Sequence, residues 1–281
     1  MVKTPMNNSS NFLVLGHRGF LGKQLVSHFQ NRGLELRTID NYLTLSNSEL
    51  ILEKAIDENT IVVNCIAKGV TQKSDSYVDN LDVNANLLKS ILNIFIQTKG
   101  QIFIHFASNY ELDGRFFIPD SRRNYVDSKK LGSAICNEFI KLDPRVNLIY
   151  LPTLIAETLP QGRFVADFMD AQKRSIEFEI NYPNSALEIL TVSRLINYFE
   201  HQYTFPTEGQ IGFAPIEMRI RVFQFASLMN QILHDLGVAK VSIKYPDSFH
   251  AVDSKLETEN FDPLFFETMK AYLLTMMEET L

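Results

Sequence analysis

Two side chains able to share a proton stand four residues apart in NYVDSKKLGSA (124–134): Tyr125 and Lys129. At that spacing a phenol and an ammonium lie on one face of a helix. A phenol, with a pKa of about 10, is a poor acid–base at neutral pH, and a positive charge beside it favours the phenolate. Upstream, IFIHFASNYELDG (102–114) reads as a strand ending in Ser108, whose hydroxyl would hold a substrate oxygen beside the tyrosine's. The chemistry on offer is proton transfer at a carbon–oxygen bond. A Tyr-x-x-x-Lys pair alone is also an ordinary pair on a helix surface; its weight comes from following a strand-terminal serine and a glycine-rich turn in that order.

That turn lies in NFLVLGHRGFLGKQL (11–25), an apolar run, then glycines at 16, 19 and 22, then an apolar-periodic segment. In a strand–turn–helix context the first glycine permits the tight turn, the second lets backbone approach a pyrophosphate, and the third lets helix and strand pack closely. Phosphates would then sit at the positive end of the helix. Gly16, Arg18, Gly19, Phe20, Leu21 and Gly22 are the candidate cofactor contacts here, and a plain strand–helix turn is the other reading. Asp40, in ELRTIDN, can accept both ribose hydroxyls of an adenosine and repel a 2′-phosphate, which favours NAD(H). Arg18 and Arg37 can each pair with a 2′-phosphate, so NADP(H) stays open, and Asp40-Asn41 also reads as a turn. An oxidised nicotinamide ring would add positive charge beside the Tyr125 phenol.

These groups need a scaffold that alternates strands and helices. Phe12–Leu15, Leu34–Ile39, Ile61–Ile66, Ile102–Phe106 and Val146–Leu151 read as strands. Phe20–Arg32, Ser48–Ile56, Val78–Gln97 and Tyr125–Leu142 carry apolar residues at helical spacing. The pattern predicts an α/β fold: a Rossmann-type, doubly wound parallel sheet with helices on both faces. Helices over Phe164–Arg174, Thr191–His201, Val222–Leu236 and Pro263–Met277, with a strand at Gly209–Phe213, predict a smaller, mostly helical C-terminal substrate lobe. The expected division is 1–153 for the dinucleotide-binding domain and 154–281 for the substrate lobe, with 186–215 returning to the sheet.

The net charge of −6 argues against a nucleic-acid partner, which calls for a basic face. No apolar stretch approaches the ~20 residues that cross a bilayer, and MVKTPMNNSS lacks the apolar region of a signal peptide, so the chain is expected to be soluble and cytoplasmic, with no membrane partner. Cys65 and Cys136 are expected as buried free thiols. The six histidines show no metal-ligand spacing, and no metal site is expected.

Along nearly its whole length the sequence resembles the extended short-chain dehydrogenase/reductases. GHRGFLG is similar to that family's GxxGxxG turn, in the form found in GDP-fucose synthases. VVNCIAKG resembles its fourth-strand segment, which lines the cofactor riboses and implicates Asn64 and Ala67. LDVNANLLKSIL resembles a family helix, and HFASNYELDG resembles a segment of dTDP-4-dehydrorhamnose reductases that carries the catalytic Ser/Thr at the position of Ser108. The chain ends similarly, through GQIGFAPIEMRIRVFQFASLMNQIL and AVDSKLETENFDPLFFETMKAYL.

The resemblance implies Ser108, Tyr125 and Lys129 as the catalytic set, with Lys129 also holding the nicotinamide ribose and Pro152 presenting backbone to the nicotinamide. Lys68, Ser108, Asn109 and Arg163 are the candidate substrate contacts, although Lys68 and Thr71 also read as solvated loop residues. Asn84 reads as structural, bonding backbone near the site. Where GDP-fucose-type epimerases carry a cysteine the chain has Tyr110. Where sugar dehydratases carry an Asp-Glu pair it has Asn109 and Tyr110, with only Glu111 acidic. The expected activity is reduction of a nucleotide-activated 4-keto-deoxysugar, as in the making of surface polysaccharides. A same-family epimerase and a non-catalytic dinucleotide-binding regulator are the alternatives. A homodimer is implied by the resemblance.

Overall fold

All five residues of β1 (Asn11–Leu15) are buried, as a strand covered on both faces requires. In the computed structural model, which describes residues 11–39, 47–69, 76–112, 116–160, 162–199, 209–251 and 263–278, β1 lies inside a six-stranded parallel sheet. Its companions are β2 (Leu36–Thr38), β3 (Thr60–Asn64), β4 (Ile102–Ser108), β5 (Val146–Leu151) and β9 (Gln210–Phe213), in the order β2-β1-β3-β4-β5-β9. Chain direction across the sheet reverses at β1, which has β2 on one side and β3 on the other. The C-terminal ends of β1 and β3 meet at this switch point, where open sheets of this kind bind ligands.

Alternation along the strands sorts side chains between two layers. Leu13 and Leu15 face a core shared with α2 (Ser48–Ala55), α4 (Leu88–Gln97) and α5 (Asp120–Leu142). Phe12 faces the opposite way and stacks on Phe29 of α1 (Phe20–Asn31), ring centroids 4.4 Å apart. With α7 (Val192–Asn197) packed beside α1, the sheet is covered on both sides, a doubly wound arrangement.

Two helices depart from their expected form. The segment expected as one helix over Val78–Gln97 is α3 (Tyr77–Leu81), a single turn of π-helix (Asp82–Leu87), and then α4. The π turn directs Asn84 inward. Gly132 of α5 lies so close to the Asn84 carbonyl that an added Cβ would collide with it. The helix expected to start at Tyr125 starts at Asp120, because its polar first turn carries no apolar periodicity to read. Tyr125 and Lys129 therefore sit beyond that frayable first turn.

At the end of the sheet away from the switch point, Arg145 collects loose carbonyls. Its guanidinium donates to the carbonyls of Ile96, Thr98 and Gly100 at 2.8–3.2 Å, pairs with Asp143, and lies 4.9 Å from the Phe95 ring centroid. One side chain thus satisfies a carbonyl of the last turn of α4 and two of the segment that follows it.

The chain divides into two compact units, one of Met1–Asp113, Ile118–Leu151 and Val192–Pro215, the other of Gly114–Phe117, Pro152–Thr191 and Ile216–Leu281. In the second, α6 (Phe164–Lys173), α8 (Val222–Asp235) and α9 (Pro263–Glu278) pack around Phe168, Phe225, Met269 and Leu273. It also holds a three-stranded sheet of β10 (Met218–Arg221), β8 (Ala186–Thr191) and β6 (Thr153–Ile155), and a pair formed by β11 (Ile243–Lys244) and β7 (Phe178–Glu179). None of these five strands is legible in the sequence. Four are too short to show a period of two, and in β8 the apolar run is interrupted by Glu188, which is buried and paired with Arg219 at 3.0 Å. No helix among the described residues is long and apolar enough to cross a membrane.

The close approach at Gly132 is testable by sign. A glycine-to-alanine change on an open helix surface stabilises by up to about 1 kcal/mol. Gly132→Ala is expected instead to destabilise by about 1–3 kcal/mol, read as a lower urea midpoint.

Candidate active site

The glycine turn has the geometry that its spacing predicts. Gly16 adopts φ +76°, and a Cβ there would lie 2.9 Å from the Cys65 carbonyl carbon and the Ile66 nitrogen. The Gly19 N–H donates to the Gly16 carbonyl at 2.9 Å, and Gly22 rests on that same carbonyl. α1 begins at Phe20 directly after this turn, and its first turn carries no acidic side chain. A tight turn with no room for a side chain at 16, exposed backbone at Gly19 and no carboxylate at the helix start together fit a dinucleotide diphosphate.

Of the groups expected to read the adenosine ribose, Asp40 lies outside the described residues. Arg18 is exposed on the turn. Arg37 is already committed: its guanidinium pairs with Asp57 at 2.7 Å and donates to the Ala55 carbonyl at 3.3 Å, at the far end of β3. Its expected pairing with a 2′-phosphate is thus displaced by an internal carboxylate, whose own pKa Arg37 helps hold below the usual range.

Past β3, the Asn64 side chain accepts from the Ile66 N–H at 3.1 Å, and Ala67 is exposed beside it. Lys68 pairs with Asp79 at 3.4 Å, while its backbone is gripped by Asn84, which accepts from the Lys68 N–H at 2.9 Å and donates to its carbonyl at 3.0 Å. Asn84 also donates to the Ser128 hydroxyl at 2.9 Å, and that hydroxyl donates to the Tyr125 carbonyl at 2.8 Å. Asn84 thus ties the loop after β3 to the helix turn that carries the tyrosine. Thr71 lies outside the described residues.

Ser108 ends β4 and caps a short 3-10 turn, Asn109–Glu111. Its hydroxyl accepts from the Tyr110 N–H at 3.3 Å, and its own N–H donates to Glu111 Oε1 at 2.7 Å. The hydroxyl proton is left for another acceptor. The second Glu111 oxygen accepts a short bond from the Ser133 hydroxyl on α5. Burial pushes the Glu111 carboxyl above the usual range, against the pull of the Lys129 charge and of these hydrogen bonds. With both oxygens engaged, Glu111 is a bracket holding Ser108 to α5.

Lys129 is buried, and its Nζ donates to the Phe106 carbonyl at 2.7 Å and lies 3.4 Å from His105 Nε2. Burial lowers the lysine pKa, which the Glu111 charge opposes. Burial holds the His105 ring well below its ordinary value. Tyr125 is half-buried one turn before Lys129, Asn109 is buried, and α5 packs on both β4 and the 3-10 turn. Lys129 and Ser108 are thereby brought to the C-terminal end of β4, with Tyr125 one helical turn before Lys129. Pro152 and Arg163 belong to the other unit, Pro152 buried after β5 and Arg163 half-buried ahead of α6. Cys65 and Cys136 are free thiols, half-buried and buried respectively. Sequence reasoning missed His105 and Ser133. The available signal was a histidine inside the apolar strand IFIHFA, which once buried must find partners.

Residues 12–148 match the family model described as the NAD dependent epimerase/dehydratase family. No curated protein matches the sequence. Among solved structures, MoeE5 in complex with UDP-glucose and NAD aligns over 97% of this chain and 100% of its own, with a TM-score of 0.74 and 14% identity. A dTDP-4-dehydrorhamnose reductase from Clostridium acetobutylicum aligns over 95% and 99%, with a TM-score of 0.68 and 15% identity. A variant UDP-glucuronic acid 4-epimerase from Bacillus cereus, solved with a fluorinated UDP-sugar and NAD, aligns over 95% and 99%, with a TM-score of 0.71 and 12% identity. At these identities the likeness is one of fold.

The buried neutral ring makes stability depend on pH. Below about 6.5 an unfolded His105 binds a proton that the native ring refuses, so the unfolded state gains protons and native stability falls as pH falls, by up to about 1.4 kcal/mol per unit from this residue. Urea unfolding at a series of pH values should show this slope, reduced in His105→Gln. A slope fully retained in the variant would assign the protons to other groups.

Proposed function

We propose, from the match of residues 12–148 to the NAD dependent epimerase/dehydratase family model, that the chain is a member of that family and acts on the sugar of a sugar nucleotide with NAD(H) or NADP(H) as cofactor. The observation that supports this reading is the double tie of α5 to β4, Lys129 to Phe106 and Ser133 to Glu111 to Ser108, which holds Ser108 and the helix of Tyr125 at the C-terminal end of the sheet that also carries the glycine turn. When bound, the dinucleotide supplies hydride transfer at a sugar carbon. Ser108 donates its remaining proton to the oxygen on that carbon and orients it. Tyr125 gives or takes the proton of the same oxygen. Gly16, Gly19 and the start of α1 receive the diphosphate, with Phe20, Leu21 and Gly22 forming the first helical turn. Asn64, Ala67 and Pro152 contact the rest of the cofactor, Lys68, Asn109 and Arg163 contact the substrate, and Asp40 supports NAD(H) as the finer choice.

The net reaction we favour is epimerisation at one carbon, in which hydride leaves and returns to the opposite face and Tyr125 serves in both directions. The family description and the fold match to an NAD-containing 4-epimerase support it. It also needs no second acid–base, in keeping with a Glu111 whose oxygens are both engaged. Reduction of a 4-keto-sugar nucleotide is the second reading, favoured by the likeness of HFASNYELDG to the dTDP-4-dehydrorhamnose reductases and by the fold match to one of them. A homodimer remains part of the proposal through the resemblance.

UDP- and dTDP-linked hexoses and their 4-keto forms, offered with NAD, NADH or NADPH, separate these outcomes by proton NMR and absorbance of the reduced cofactor. Epimerisation yields a new sugar isomer with no net loss of reduced cofactor; reduction consumes it in step with product. Tyr125→Phe is expected to bind cofactor normally and lose about 10²–10⁴-fold in turnover. Near-normal turnover in that variant would overturn the assignment.

A further inference from the structure

The hydrogen bonds around Lys129 run in one direction only. The Ile66 N–H donates to Asn64 Oδ1 at 3.1 Å, which fixes the amide so that its Nδ2 faces His105 Nδ1, also at 3.1 Å. Turning the amide over would set its NH2 against the Ile66 N–H. His105 Nδ1 therefore accepts, and a neutral imidazole whose Nδ1 accepts carries its proton on Nε2. Nε2 lies 3.4 Å from Lys129 Nζ, which donates to the Phe106 carbonyl at 2.7 Å. An ammonium has no lone pair and would set proton against proton at that contact, whereas an amine can receive the Nε2–H. Asn64, His105 and Lys129 are each 2% exposed, so water does not resolve the conflict.

We propose that His105 is a positioning residue for Lys129: held by Asn64 as the tautomer protonated on Nε2, it donates to Nζ and keeps the lysine an uncharged amine in the cofactor-free protein. The surroundings agree. Besides His105 and the Phe106 carbonyl on β4, Lys129 is faced by Glu111 from the 3-10 turn, by Cys65 after β3 and by Cys136 on its own helix. Burial raises both thiols, Cys136 to about 12, so neither supplies negative charge near neutral pH. Glu111, also pushed up by burial, already takes hydrogen bonds from the Ser108 N–H and the Ser133 hydroxyl. Lys129 is left with one N–H on Phe106 and one more to give. The ring at 105 thus decides whether residue 129 holds a positive charge before a ligand arrives. This inference goes beyond the proposed reaction and does not depend on it, because its test uses the protein without cofactor or substrate.

The test is nitrogen NMR of protein carrying ¹⁵N-labelled histidine and lysine, in long-range ¹H–¹⁵N spectra. Of the six histidines, His105 is identified by the signals that His105→Gln lacks. Should that variant fail to fold, His105 is the ring that stays neutral between about pH 8 and pH 6. The expected result is a proton on Nε2 and none on Nδ1, with one lysine Nζ at the amine position near pH 7. Asn64→Asp, whose side chain keeps the Ile66 contact but has no N–H to give, is expected to move the ring proton to Nδ1 and shift that Nζ signal to the ammonium position. A wild-type ring protonated on Nδ1 or on both nitrogens overturns the proposal. So does an all-ammonium lysine spectrum near pH 7, or an unchanged tautomer in Asn64→Asp.

Discussion

The buried bond from Lys129 Nζ to the Phe106 carbonyl is the constraint on which the geometry of the site depends. β4 lies between β3 and β5, so Phe106 cannot shift without its neighbours. The lysine therefore sets the distance of α5 from the sheet, with Tyr125 one turn before it and Ser133 one turn after. The chain from Ser133 through Glu111 to Ser108 ties the same helix to the same strand a second time. One tie would leave the helix free to turn about it, and two do not. Proton transfer and hydride transfer at one carbon tolerate little misplacement, and under the proposed function this double anchorage is what would meet that demand.

Such an anchorage is costly, because an amine, an imidazole and a carboxyl are all withdrawn from water. Each nevertheless has hydrogen-bond partners, among them backbone groups that secondary structure holds still. Stability has to come from elsewhere. The layer of Leu13, Val62, Ile91, Phe95 and Phe103 provides apolar burial, and the Arg145 cluster at the opposite end secures the chain between α4 and β5. Polar function and mechanical support occupy opposite ends of the same strands.

Much of the site was legible because its signals are local. Three glycines at three-residue spacing, a serine closing an apolar run and a Tyr–Lys pair one helical turn apart each declare a backbone geometry within a few residues. His105, Ser133 and Asn84 were read dimly or missed because their meaning lies in partners far along the chain: Asn64 and His105 are 41 residues apart, and Asn84 and Ser128 are 44. The partner of Arg37 was likewise out of reach, Asp57 being 20 residues away. The small strands of the second unit escaped because two to four residues cannot display a period, and β8 because a buried glutamate, paired with Arg219, replaces one of its apolar positions.

The π turn at Asp82–Leu87 also says something about the history open to this sequence. Such a turn amounts to one residue inserted into an α-helix. Deleting a residue within it would restore regular winding and draw the wide turn that carries Asn84 back into the α-helical spiral. Asn84 would then leave both Lys68 and Ser128, and the Gly132 notch would face nothing. Helix length is ordinarily forgiving to insertions and deletions; here it is locked, and descendants of this gene can exchange residues in the segment far more easily than they can gain or lose one.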